Sequence, residues 1–216
     1  AHAFGSHHNG ILVGSNSDLA CFSFDGIKNI TSGEGGCIVT EDSLVIKKIR
    51  DARLLGVEND TIKRFSDKRS WDFDVANQGF RFHMSNINAA IGIEQLKRIE
   101  FFKEKRQFIV QRYIKILSPI NEVKFLNLNY KEIISHIFVI KVKNRDGLRD
   151  YLLKYGIECG IHYKPNHMLQ MYLNSLTTLP ITESLYKEII SLPCHVDLSL
   201  LEQGYVIQKI GEFYNA

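Results

Sequence analysis

The residues best placed by type and spacing to do chemistry lie in SFDGIKNITSGEGG, residues 23–36, where Lys28 follows an apolar strand and precedes a turn of small residues. A lysine held there is expected to be partly desolvated. Burial disfavours the ammonium, and the free amine is the form that condenses with an aldehyde to an imine. On its residues alone, a glycine-rich turn beside a lysine reads first as a solvated turn lysine. The pattern GxxxxGK[ST] is absent, which excludes a Walker-type nucleotide loop. Among the 8 histidines no two occur as HxxxH or HxH, and His7 and His8 have no further ligand at zinc spacing nearby. No metal centre is expected. His162 and His167 flank Pro165 in GIHYKPNH, residues 160–167, after a candidate strand.

These groups need elements to hold them. LACFSF at 19–24 alternates with period two and ends at Asp25-Gly26, a strand running into a tight turn. CIVT at 37–40 reads as a second strand. Leu44, Val45, Ile49 and Leu54 then recur at helical intervals, with Glu41 and Asp42 at the start and Gly56 at the end. Residues 57–83 are polar and aromatic without sustained periodicity, and a loop of that length is usually functional. Ser85 caps a long helical pattern that ends at Pro119, with an apolar stripe including Ile87, Ile91, Phe102, Ile109, Tyr113 and Leu117. At about 1.5 Å per residue it would span roughly 50 Å and bridge two domains. Beyond it, the spacing predicts strands at 136–142 and 157–163, helices at 146–156 and 182–190, and a last helix from Ser199 whose spacing to Glu202 fits a capping box. The expected division is 1–118 and 119–216.

Composition narrows the partners. With 216 residues, 44% apolar and 24% charged, the chain has an ordinary globular balance that excludes disorder and collagen-like repeats. A formal charge of +3 is too mild and too dispersed to argue for nucleic acid or a membrane surface. No apolar run has the length of a spanning helix, and AHAFGSHHNG lacks the basic start and apolar centre of a signal peptide, so the expectation is a soluble, cytoplasmic protein. The GSHH stretch inside that start reads as native chain rather than tag, since apolar sequence continues on both sides. The 4 cysteines are widely spread with no CxxC pair and are expected to be reduced core residues.

FSFDGIKNITSGEGGCIVTED resembles the cofactor-lysine segment of the DegT/DnrJ/EryC1/StrS sugar aminotransferases. The likeness continues through AHAFGS at 1–6, GFRFHMSNINAAIGIEQL at 79–96, GIHYKPNH at 160–167 and SLPCHVDLS at 191–199, in order and spacing over essentially the whole chain. The resemblance implies an α/β fold: the latter part of the large domain of a fold-type I pyridoxal phosphate enzyme plus a small C-terminal α/β domain. It implies pyridoxal 5'-phosphate on Lys28, with Ser23 at the position that holds the cofactor phosphate and His2 at the position that meets the ring hydroxyl. Arg81 stands in the segment that reaches a neighbouring subunit's cofactor phosphate. Many members carry Asn and Arg where this chain has Arg81 and His83, and a guanidinium binds phosphate as well through a charge-assisted fork. His162, Tyr163 and His167 fall in the segment the family sets near the sugar nucleotide. The acid that pairs with the pyridine nitrogen would fall two positions before Ala1, so the chain looks like a C-terminal part.

The activity so implied is amino transfer from glutamate to the C4 keto group of a nucleotide-linked 4-dehydro-6-deoxy hexose. The wording GIKNITSGEGG with FHMSNINAAIG favours dTDP, as in viosamine synthesis for O-antigen lipopolysaccharide, with GDP- and UDP-linked sugars open. A homodimer with shared active sites, and glutamate and sugar nucleotide as small-molecule partners, go with it. Two other classes remain: an inactive truncated remnant or interaction module, and a metal-dependent hydrolase using the histidines.

Overall fold

The computed structural model describes residues 1–16, 18–58, 73–75, 77–175 and 178–215. They form two compact units, Ala1–Ile99 and Glu100–Ala216.

In the first unit, β1 (His7–His8) and β2 (Ile11–Leu12) pair antiparallel across Asn9-Gly10. Both turn residues have positive φ, 52° and 77°, which is what a two-residue turn matched to strand twist requires. β3 (Ala20–Ser23) pairs antiparallel with β4 (Gly36–Val39), with Ser23 opposite Gly36, so the lysine turn is the long connection of a hairpin. α1 (Ser43–Ala52) starts at Asp42, whose carboxylate accepts the N–H groups of Leu44 and Val45. The strand-like segment 80–82 is held against the end of α1: the Phe80 N–H donates to Ala52 O at 2.6 Å and the Phe82 N–H to Arg53 O at 2.9 Å. That approach needs glycine on both chains. A Cβ on Gly79 would fall on the backbone of Leu55 and Gly56, and Gly56 itself has a φ of +77°. α2 (Asn86–Lys97) is capped by Ser85, which accepts the Asn88 N–H at 3.1 Å.

In the second unit, β5 (Val123–Phe125), β6 (Phe138–Val142) and β7 (Ile189–Leu192) form an antiparallel sheet in the order β5-β6-β7. Along β6 the residues Phe138, Ile140 and Val142 are buried and alternate with half-buried ones. They meet Tyr113 and Leu117 of α3 (Ile99–Leu117), Leu148 and Leu152 of α4 (Arg145–Lys154), and Val206 and Ile210 of α6 (Leu200–Asn215) in one core. α5 (Pro180–Glu188) precedes β7. The start of α6 is a capping box, with the Ser199 N–H on Glu202 at 2.8 Å and the Glu202 N–H on Ser199 Oγ at 3.2 Å.

The structure departs from the sequence reading in particular places. The long helix is interrupted at Arg98, where φ −102° and ψ 5° leave the helical region. The packing of Ile109, Val110, Tyr113 and Leu117 places α3 with the second unit rather than with the residues before it. Residues 157–163 make one isolated bridge, Gly160 to Ser191, instead of a strand; Gly156 before the segment and Gly160 within it weaken strand formation there. The edge of β6 is covered by β7, where a helix end was expected. Cys21 is exposed, Cys37 and Cys159 are half-buried and Cys194 is buried, so the cysteines are not uniformly core residues. Of the expected loop at 57–83, residues 59–72 and 76 lie outside the described residues; its ends bridge Leu54 to Arg81 and Val57 to Val75.

Candidate active site

The turn between β3 and β4 is stitched by short-range bonds. The Lys28 N–H donates to Asp25 O at 3.0 Å, and Asp25 Oδ1 accepts the Ile27 N–H at 3.2 Å, an Asx turn. Ser23 Oγ accepts the Asp25 N–H at 3.4 Å. Farther on, Phe24 O accepts the Ser32 N–H at 2.9 Å and the Thr31 hydroxyl at 3.3 Å. A side chain on Gly35, with φ +155°, would meet Ser32 Oγ at 2.5 Å. Local chemistry therefore folds this segment so that the half-buried Ser23 and Lys28 share one turn.

Against that turn lies the segment 2–6. His2 Nε2 is 3.0 Å from Lys28 Nζ. Asn29, 5% exposed, donates from Nδ2 to His2 O at 3.2 Å and to Phe4 O at 3.0 Å. The Phe4 ring sits edge-on to Phe22 and Phe24, with centroids 5.3 and 5.2 Å away. The structure thus brings together His2 and Lys28, 26 residues apart in sequence. Asn29 was not singled out by sequence, because a lone Asn in a turn reads as a turn former.

Arg81 is exposed, and its neighbours Phe80 and Phe82 are tied by backbone bonds to the end of α1. Beside it, a groove of about 1180 Å³ is lined by Phe22, Cys37, Ile38, Phe80 and Phe82 among others; Lys28, Ser23, His2 and Arg81 do not line it. Burial, with a smaller contribution from Cys21, pushes the Cys37 thiol up.

His162, Tyr163 and His167 belong to the second unit. His162 Nδ1 lies 2.8 Å from the hydroxyl of Ser191, which is 5% exposed, and this partner had no signal in the sequence. Tyr163 is 56% exposed and packs edge-on to the His162 ring. His167 Nε2 is 3.1 Å from Glu183 Oε1. The Leu179 N–H and then His167 hold the Glu183 carboxyl below its ordinary value. Among the described residues there is no group of three or more His, Cys, Asp or Glu that could hold a metal ion, and no helix is long and apolar enough to cross a membrane.

The donor set of the first unit suits a phosphorylated aldehyde. It offers one primary amine with an imidazole at hydrogen-bond distance, and a hydroxyl in the same turn. Pyridoxal phosphate is such a group, and Lys28, Ser23 and His2 are residues that could hold it.

Comparison with known proteins points the same way. A UDP-4-amino-4,6-dideoxy-N-acetyl-beta-L-altrosamine transaminase of Campylobacter jejuni subsp. jejuni serotype O:23/36 (strain 81-176) is 31% identical over 214 residues, which are 95% of this chain and 55% of that protein. The chain thus spans about half the length of this curated relative. PseC of Helicobacter pylori, described as an aminotransferase in the biosynthesis of pseudoaminic acid, superposes with a TM-score of 0.90 at 28% identity, over 100% of this chain and 58% of PseC. The PLP-form of the putative sugar aminotransferase Spr1654 from Streptococcus pneumoniae gives 0.88 at 27% identity, over 100% and 56%. The architecture is that of the fold-type I pyridoxal phosphate enzymes. The profile of one family matches residues 1–211, a span that includes the Lys28 turn, the His2 segment, the whole first unit and most of the second, and by that match the chain belongs to the DegT/DnrJ/EryC1/StrS aminotransferase family.

Proposed function

We propose that this chain carries the lysine-bearing part of a pyridoxal phosphate-dependent aminotransferase that installs an amino group at the C4 keto position of a nucleotide-linked 4-dehydro-6-deoxy hexose, with glutamate as donor. The observation that carries the reading is the 3.0 Å approach of His2 Nε2 to Lys28 Nζ within a turn that also holds Ser23. When bound, the cofactor withdraws electrons from the α-carbon of the amino donor and carries the amino group between substrates. Lys28 holds the cofactor through its amine and, once released, moves a proton to and from that carbon at Nζ. The Ser23 hydroxyl binds phosphate, and His2 Nε2 faces the reacting amine and orients it. Arg81 extends to the phosphate in a second subunit of a homodimer. His162, Tyr163 and His167 contact the sugar nucleotide.

The sugar carrier favoured by the sequence wording is dTDP, and the product would enter O-antigen lipopolysaccharide synthesis in the cytoplasm. A second reading, UDP, is favoured by the name of the Campylobacter relative, a UDP-sugar transaminase. The test adds pyridoxal phosphate to the purified protein, reduces with borohydride and locates the adduct by mass spectrometry. A stable adduct on Lys28 that Lys28→Ala abolishes is the expected result, and an unmodified Lys28 overturns the reading. Incubation with glutamate and either the dTDP- or the UDP-linked keto-sugar then separates the two carriers.

A further inference from the structure

We infer that Asn29 is a positioning residue that sets His2 against Lys28. The inference rests on reading Lys28 as the cofactor lysine. His2 is gripped at two points by two consecutive residues: its imidazole by Lys28 at 3.0 Å, and its carbonyl by Asn29 Nδ2 at 3.2 Å. The same Nδ2 donates to Phe4 O at 3.0 Å, so one amide spans alternate carbonyls of the segment and fixes its register along the turn. Asn29 is 5% exposed, and Ile30 beside it 4%, so the amide is anchored in the interior of the unit and does not reach into solvent. Both of these Nδ2 bonds end on backbone carbonyls. The effect of Asn29 on the chemistry passes through His2: a slide of segment 2–6 that breaks the amide bonds also withdraws the imidazole from Lys28. Two neutral hydrogen bonds of ordinary strength correspond to about 10- to 30-fold in the population of the clamped arrangement.

The experiment is a double-mutant cycle on the protein with pyridoxal phosphate as probe. Asn29→Leu keeps the approximate shape and removes the donors; Asn29→Asp, which also lacks N–H groups, serves if the leucine variant does not fold. Asn29→His, which keeps a nitrogen at the δ position, is the rescue. Two quantities are read: the dissociation constant for pyridoxal phosphate by absorbance, and amide exchange at Ser6, whose N–H bonds to Ala3 O at 2.9 Å inside the clamped segment. The expected result is that Asn29→Leu speeds Ser6 exchange and weakens cofactor binding about tenfold or more, with partial recovery in Asn29→His. In a His2→Ala background it still speeds exchange but no longer weakens binding. Equal weakening in both backgrounds overturns the inference, because a role in general packing would not depend on the imidazole. Unchanged Ser6 exchange overturns the clamp itself. A wild-type protein that takes up no pyridoxal phosphate overturns the reading beneath, while Ser6 exchange still reports on the clamp.

Discussion

Arg106 is buried and, among the described residues, pairs with backbone carbonyls and no carboxylate. Its Nη1 donates to Ser135 O at 2.9 Å, His136 O at 3.3 Å and Cys194 O at 2.6 Å, joining α3 to two loops of the second unit. Burial is the largest influence on its pKa and lowers it, so the guanidinium bears a desolvation cost that the three carbonyls offset. Arg106→Met keeps most of the volume and removes the donors. Each orphaned buried acceptor costs about 1–3 kcal/mol, and relief of the buried charge returns part of the sum. Three such acceptors sum to about 3–9 kcal/mol, and with the relief of the buried charge subtracted the net expectation is a loss of about 3–5 kcal/mol. With a urea dependence of about 2 kcal/mol per M, the midpoint falls by roughly 1.5–2.5 M. Amide exchange of β6 residues at rising urea is the assay, since Phe138, Ile140 and Val142 report on opening of that core. Gln107→Ala is the control: its amide donates to Lys131 O at 2.6 Å, exposed, and to Ile133 O at 3.3 Å, part-buried, so water replaces most of this bonding and the loss stays below about 1 kcal/mol. A loss below about 1 kcal/mol for Arg106→Met as well would refute the assignment of these bonds as the tie between α3 and the loops.

Gly79→Ala places a Cβ on the backbone of Gly56 and is expected to displace the segment carrying Arg81 at a cost of about 1–3 kcal/mol; a melting temperature equal to wild type would contradict the close approach. Cys159 and Cys194 are pushed up to about 12 and about 11 by burial, so at pH 8 roughly one Cys194 in a thousand is thiolate. With a thiol reagent followed by peptide mapping, exposed Cys21 should label first and Cys194 only on unfolding. Glu183 has a depressed pKa in the folded chain. The stability it contributes is therefore complete above its ordinary value of 4.5 and is lost as pH falls through the folded value. Glu183→Gln should accordingly be less stable than wild type at pH 6 and indistinguishable from it in acid; an equal deficit at both ends would show that the carboxylate's charge is not involved. Light scattering tests the proposed homodimer, which a strictly monomeric yet active species would exclude.

The elements written into local chemistry were legible without coordinates. Period-two alternation marked β3 and the Asp25-Gly26 turn after it, Asp42 and Ser85 marked helix starts, and Ser199 with Glu202 marked the last one, because each depends on residues within a few positions. The Lys28 turn was visible for the same reason, since glycines and small hydroxyl residues specify its conformation locally. What depended on distant packing was not. The interruption at Arg98 and the allegiance of α3 follow from which unit buries Ile109 and Tyr113. β7 forms where Ile190 and Leu192 meet the open edge of β6, which no window of sequence around them specifies. The approach of His2 to Lys28 through Asn29, the pairing of His162 with Ser191 and the burial of Arg106 among carbonyls likewise join residues 26 or more apart. Sequence alone determined the small-residue turn that carries Lys28, because its turn residues act locally; tertiary structure decided which side chain faces that amine, because such a contact exists only once the chain has closed on itself.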